Sequence, residues 1–259
     1  GHQASCASAV TLLTALYMDV LRPEDRIAVK PHASPVFHAL MYLLGRQTRE
    51  KMENFRSFGG VQAYPSRTKD TNDVDISTGS VGLGVATTLF ASLMQDYAHA
   101  HGRMAGDVRK GRLVALMGDA ELDEGNVFEA LLEGWKQKVG NLWWIIDYNR
   151  QSLDGVINEF LFTKIQDFFG TMDWNVVTLK YGKQLEAAFQ GPAGEALMRW
   201  IDDCPNDLYS ALTFKGGSAW REHLTRDLRG TSGLKELLDN HDEGSLHGLM
   251  TNLAGHDMA

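Results

Sequence analysis

The chain has little cysteine: Cys6 and Cys204 are the two present, and neither stands in a metal-ligand or redox spacing. No Lys/Arg run is longer than a pair, and 25 basic residues against 33 acidic ones give a formal charge of −8. A nucleic-acid or anionic-membrane surface therefore has no electrostatic support. Neither a signal peptide nor an apolar run long enough to span a bilayer is found, which makes the cytoplasm the default location. Low-complexity tracts and internal repeats are missing too. What remains, 259 residues of which 44% are hydrophobic and 22% charged, is an ordinary globular composition. It implies one large domain, alone or with a smaller appendage. The chain opens on Gly1-His2-Gln3-Ala4-Ser5 without an initiator Met and closes on Gly255-His256-Asp257-Met258-Ala259. Both ends are expected to cut through something longer.

Apolar spacing predicts a helix over 5–21, closed by Arg22-Pro23, and a short β-prone piece over 26–30. In Pro31-His32-Ala33-Ser34-Pro35, Ser34 is expected to cap a helix carrying Pro35 in its first turn, with His32 in the loop at its entrance. Residues 66–76 read as a surface loop. Gly79-Ser80-Val81-Gly82-Leu83-Gly84 then introduces a long helix through about residue 98. The glycine spacing is not that of the dinucleotide fingerprint, and 73–78 is a poor buried strand. Residues 113–117 and 142–146 are buried strands. Between them Val127, Phe128, Leu131, Leu132 and Trp135 recur at helical spacing. This is a βαβ unit, and an α/β fold with a mostly parallel sheet flanked by helices follows from it. Further on, 173–180 reads as another strand, 184–202 as a helix, and 205–259 as a more polar, helical portion.

Polar residues just past parallel strands lie at the carboxyl edge of the sheet, where ligands bind in open α/β folds. Asp119 offers a carboxylate there and Asn149 an amide oxygen, with a backbone carbonyl within 149–151 as a third donor. Magnesium accepts such a sparse oxygen set when phosphate oxygens complete it. Plainer readings stand beside these. A Gly-Asp after a strand is common, Glu121, Asp123 and Glu124 suit a helix entrance by their charge alone, and the glycines at 79, 82 and 84 permit tight packing as readily as phosphate approach. Trp135, Trp143 and Trp144 read as core or interface. His38, His99, His101, His223, His241 and His247 read as surface or structural, since the spacing of His241 and His247 matches no strong zinc pattern.

The stretch Gly118-Asp119-Ala120-Glu121-Leu122-Asp123-Glu124-Gly125, followed by Asp147-Tyr148-Asn149-Arg150-Gln151-Ser152-Leu153-Asp154-Gly155, resembles the cofactor motif of transketolase-like thiamine diphosphate enzymes. Gly1-His2-Gln3-Ala4-Ser5, Pro31-His32-Ala33-Ser34-Pro35 and residues 78–84 fall in the order that family expects. Asn54-Phe55-Arg56, Leu153-Asp154-Gly155, Trp174-Asn175-Val176, Arg221-Glu222-His223 and Gly255-His256-Asp257 look most like the homodimeric pyruvate dehydrogenase decarboxylase component. The resemblance covers most of the chain and implies a diphosphate-binding, transketolase-like fold over 1–259, as a fragment or one subunit.

The resemblance also implies site residues, cofactors and partners. Asp119, Asn149 and the Gln151 carbonyl would ligate magnesium (Mg2+) bridging the diphosphate of thiamine diphosphate. Ser5, Lys30, Ser80, Val81, Gly118, Ala120, Glu121, Asn149 and Leu153 would line the cofactor. His2 and His32 would be catalytic, facing the diphosphate and the reacting carbons, where imidazole donates hydrogen bonds and moves protons near neutral pH. The activity implied is oxidative decarboxylation of a 2-oxo acid, pyruvate first, with acyl transfer to a lipoyl-bearing acyltransferase. A companion chain or domain would carry the pyrimidine-binding site, so this chain by itself would be incompetent, and the assembly would be a homodimer or higher. Two departures stand out: Ala120 replaces the usual final Gly of the metal motif, and Lys30 stands where the decarboxylases usually have Gln. The alternatives are two-carbon transfer between sugar phosphates and a non-catalytic cofactor-binding or regulatory module.

Overall fold

In a computed structural model the chain is described at residues 3–70, 74–104, 106, 108–148, 151–152, 155–156 and 161–258, with backbone alone at 151–152 and 155–156. It divides into two compact units, Gly1–Leu153 with Gln166–Asn175, and Asp154–Ile165 with Val176–Ala259.

The first unit is built on three parallel strands, β1 (Arg26–Ala28), β2 (Leu113–Gly118) and β3 (Leu142–Asp147), with β2 in the centre. Ile27 pairs with Val114 and Gly118 with Asp147, so β2 and β3 end in register at the carboxyl edge. Every residue of β2 is buried, as a strand covered on both faces requires. On one face Val114 and Leu116 meet Ala9 and Leu13 of α1 (Gln3–Ala15) and Phe37, Leu40 and Met41 of α2 (Ser34–Leu43). On the other, Leu113 and Leu142 meet Ala86 and Leu89 of α4 (Leu83–Ala100) and Ala130 of α5 (Gly125–Lys136), with Trp144 and Trp174 beside them. A short α3 (Arg49–Glu53) follows α2, with Thr48 capping it by accepting from the Lys51 N–H.

The expected βαβ unit is thus β2, α5 and β3. The first helix ends at Ala15 and continues to Val20 as a π turn. Ser34 does not cap α2: its hydroxyl is buried and donates to the Ala63 carbonyl at 2.5 Å, and Ala33 is the cap residue. No strand forms over 173–180. Val177 and Leu179 are 73% and 79% exposed, and the extended segment pairs only at Tyr181, in an isolated antiparallel bridge to Leu253. Its alternation has no neighbouring ladder to join.

The second unit is a helical cluster. After α6 (Leu161–Thr171), which crosses the boundary between the units, come α7 (Lys183–Phe189), α8 (Gly194–Asp203), α9 (Asn206–Lys215), α10 (Gly217–Asp227), α11 (Leu234–Asp239) and α12 (Glu243–Met250). The helix expected over 184–202 is two helices because Gly191-Pro192 interrupts it, Pro lacking the N–H an interior turn needs. Leu185, Leu197, Ile201, Leu212, Trp220 and Leu246 form its core. Asp257, in the closing Gly255-His256-Asp257, accepts the Lys183 N–H at 2.5 Å and so satisfies the start of α7. Among the described residues no helix is long and apolar enough to cross a membrane.

The amino edge of the sheet is fastened by one buried carboxylate. Asp25 accepts from the Arg22 N–H at 2.9 Å, the Arg112 N–H at 2.6 Å and the Arg112 guanidinium at 2.9 and 2.5 Å. Arg112 in turn lies 4.3 Å from the Trp143 ring centroid, so one side chain touches the starts of all three strands. Burial alone would push the Asp25 carboxyl up, but the Arg112 side-chain bonds and the two backbone N–H bonds outweigh it and hold it below the ordinary carboxylate range. Such a group contributes stability above its unfolded-state pKa that is lost as pH falls through the folded one. Asp25→Asn should therefore flatten the acid side of the stability–pH profile measured by urea unfolding; an unchanged acid slope would refute the assignment. In the second unit, Trp220→Ala empties a fully buried site and should cost about 3–5 kcal/mol by the same measurement, against a small effect if the core is elsewhere.

Candidate functional site

The loop between β1 and α2 carries Lys30, whose side chain is buried and whose ammonium donates to Asp147 Oδ2 at 2.9 Å. To reach it, Lys30 crosses the end of β2. A Cβ built on Gly118 would lie 3.1 Å from Lys30 Cε and 3.2 Å from Nζ, so the missing side chain leaves the path. The other Asp147 oxygen accepts from the Ser8 hydroxyl of α1 at 2.6 Å. A buried cation is thereby paired and its partner's oxygens are both bonded, as burial of charge demands.

One residue past Gly118, a 3-10 turn (Asp119–Asp123) buries Asp119 and Glu121. Asp119 Oδ1 lies 3.2 Å from the Ala120 N–H. Glu121 reaches in two directions, accepting from the Gly118 N–H at 3.2 Å and the Gly82 N–H at 3.1 Å. It thus ties the end of β2 to the start of α4. Gly82 must be glycine: its φ is +77°, and a Cβ there would meet Asn126 Oδ1 at 2.6 Å. Burial pushes the Glu121 carboxyl above its ordinary pKa, against the pull of the Gly82 and Gly118 N–H groups and the Lys30 charge.

Of the expected site residues, Lys30, Gly118, Asp119, Ala120 and Glu121 gather at the carboxyl ends of β1 and β2, and Ser80 and Val81 precede the start of α4 that Glu121 holds. His32 follows Lys30 on a 3-10 turn, its ring centroid 6.2 Å from that of Tyr64, and its carbonyl lies 3.8 Å from Cys6 Sγ. Ser5 is half-buried on α1, one turn before Ser8. His2, Asn149 and Leu153 lie outside the described residues, and of Gln151 the extended backbone alone is described.

Two polar partners escaped the sequence reading, Asp147 and Ser8. The signal for Asp147 was Lys30 itself, a lysine in an apolar stretch that needs a carboxylate; nothing local marks Ser8. His38, read as structural, is fully buried with Nε2 3.0 Å from the Gln62 carbonyl. Among the described residues no three His, Cys, Asp or Glu converge on a metal-sized site, and this holds for His241 and His247. The carboxyl edge instead offers three buried carboxylates: Glu121 is taken up by the Gly82 and Gly118 N–H groups, Asp147 by Lys30 and Ser8, and Asp119 lies at the start of the 3-10 turn. That donor set fits a magnesium ion completed by phosphate oxygens and does not fit an all-protein cage.

Lys30→Met should strand the buried Asp147 charge and cost about 3–5 kcal/mol in urea unfolding. Adding Asp147→Asn should recover a substantial part, the coupling expected of contacting residues. Strictly additive losses would contradict the pairing.

Residues 22–192 match the family described as transketolase, thiamine diphosphate binding domain. Pyruvate dehydrogenase E1 components are similar over nearly the whole chain. The protein from Cupriavidus necator is 27% identical across 99% of this chain and 29% of its own length, and that from Mycobacterium tuberculosis 27% identical across 99% and 28%. The chain thus spans under a third of the curated relatives it matches. Among solved structures, transketolase from Leishmania mexicana superposes with a TM-score of 0.55 at 20% identity, over 66% of this chain and 30% of that one. The R525L transketolase from Pichia stipitis gives 0.51 at 23%, over 59% and 23%. These last two likenesses bear on the fold alone. With the parallel sheet, its polar carboxyl edge and a family match over most of its length, the chain belongs to the transketolase-type thiamine-diphosphate-binding domains.

Proposed function

We propose that this chain supplies the magnesium–diphosphate half of a thiamine-diphosphate-dependent 2-oxo acid decarboxylase, acting on pyruvate and passing the acyl group to a lipoyl-bearing acyltransferase. The observation that carries the reading is the convergence of Lys30, Gly118, Asp119 and Glu121 at the carboxyl edge of the parallel sheet, where such folds bind ligands. The similarity to pyruvate dehydrogenase E1 components supports the choice of substrate and partner.

In this reading Asp119 holds the magnesium with Asn149 and the Gln151 carbonyl. Lys30, Ser80, Val81, Gly118, Ala120 and Glu121 surround the diphosphate, and Ser5 and Leu153 complete the lining. Thiamine diphosphate, when bound, supplies the nucleophilic carbon and the electron sink that 2-oxo acid cleavage needs. The chain's own residues orient and neutralise. The Asp119 carboxylate would meet the metal's charge, and the Lys30 ammonium, tied to Asp147, would supply a fixed positive charge for the diphosphate. Glu121, by accepting the Gly118 and Gly82 N–H groups, holds the β2 end and the α4 start at a set separation. His32, with His2, moves protons at the substrate oxygen. A companion domain carries the pyrimidine half of the site, the working assembly is a homodimer or higher, and its location is cytoplasmic.

Calorimetric titration of thiamine diphosphate into the chain should show binding that requires magnesium and is abolished by Asp119→Ala. With a companion chain carrying the pyrimidine domain, pyruvate-dependent reduction of a dye should appear. Absence of cofactor binding even with that companion present would refute the reading.

A further inference from the structure

The first unit contains a cavity of about 770 Å3 beside the amino end of β1, at the opposite end of the strand from Lys30. Tyr17, Leu21, Leu44 and Val74 give it an apolar wall, and Arg22, Arg26, Arg46 and Arg67 stand around it. Three carboxylates also line it, but each is already engaged. Asp25 is held by Arg112, and Asp70 accepts the Gln62 and Ser66 N–H groups at 2.9 and 2.8 Å. Asp75 accepts the Ile27 N–H at 3.1 Å and lies 3.5 Å from the Arg26 guanidinium.

The arginines are not matched in the same way. Arg26 faces Asp75, and Arg67 donates to the Asp75 carbonyl at 3.0 Å. The side chains of Arg22 and Arg46 have no hydrogen-bond or ion-pair partner among the described residues. Among the described residues, and counting Arg112 with Asp25, five guanidiniums stand against three carboxylates here. Burial, with Asp75 nearby, raises the Tyr17 hydroxyl pKa well above its ordinary value, so at neutral pH it is a protonated donor.

We propose that this cavity is a second ligand site, for a small phosphate monoester with an apolar body. Two guanidinium forks without a partner among the described residues, together with a phenolic O–H, offer the donors that one dianionic group with three terminal oxygens takes up, and a monocarboxylate would leave one fork unanswered. The apolar body of the ester then covers Leu21, Leu44 and Val74. The site is separate from the diphosphate edge and does not depend on the chemistry proposed there.

Phenyl phosphate is the probe, titrated calorimetrically into the full chain, into Arg22→Gln/Arg46→Gln, and into Asp119→Ala. The wild-type chain should bind it, more tightly than inorganic phosphate, and added salt should weaken the binding. The double arginine variant should bind about tenfold or more weakly, and Asp119→Ala should bind it as the wild type does. Both arginines are exposed, and an unchanged circular dichroism spectrum confirms that the variant folds. No binding by the wild type, equal binding by the double variant, or loss of binding in Asp119→Ala would each overturn the proposal; the last would place the probe at the diphosphate edge.

Discussion

A lysine buried at the end of an apolar strand must find an anion, and in this chain that requirement organises the carboxyl edge of the sheet. Lys30, two residues past the first strand, and Asp147, the last residue of the third, meet across Gly118 of the second. The pair therefore fixes how far apart the outer strands end. Ser8 adds α1 to the same point, and Glu121, electrostatically coupled to Lys30, adds the start of α4. Breaking the pair would leave a buried charge unanswered, a larger cost than the pair's own net contribution. The value of such a pair lies in the geometry it enforces on the turns at either side.

The two edges of the sheet are built on one plan and serve different ends. At the amino edge Asp25 and Arg112 lock the strand starts together, and Arg112 covers Trp143. At the carboxyl edge the corresponding lock sits beside Asp119 and the 3-10 turn, where the proposed diphosphate and its metal would sit. The chain belongs to a family of thiamine-diphosphate-binding domains, and that is the ground on which a diphosphate is proposed for this edge. The Lys30 ammonium brings a positive charge to it that this chain's own Asp147 holds in place.

The parts of this fold that were legible in the sequence are those decided locally. The run over 113–117 is apolar because β2 is covered on both faces, and the spacing of Val127 and Leu131 shows directly in the buried side of α5. The glycine-rich run over 79–84 announced the start of α4, and Gly82 there adopts the left-handed conformation. What was not legible depended on distant partners. Residues 173–180 alternate like a strand, but a strand needs a neighbouring ladder, and the segment finds only Leu253. Ser34 has the side chain of a helix cap and gives its hydrogen bond to Ala63 instead. Lys30 was expected at the cofactor by resemblance alone; its partner lies 117 positions away and Ser8 lies 139 from Asp147. The break in 184–202 was written in Gly191-Pro192, and helical periodicity on both sides obscured it.

The diphosphate and its metal are proposed to sit at the carboxyl edge, against Asp119. A crystal structure of the chain with thiamine diphosphate and manganese in place of magnesium tests this placement directly, because manganese can be located by its anomalous scattering. One anomalous peak is expected, coordinated by the Asp119 carboxylate and by diphosphate oxygens, with the Lys30–Asp147 pair intact. Ordered cofactor whose metal has no ligand from Asp119, or whose diphosphate lies away from the ends of β2 and β3, would contradict it.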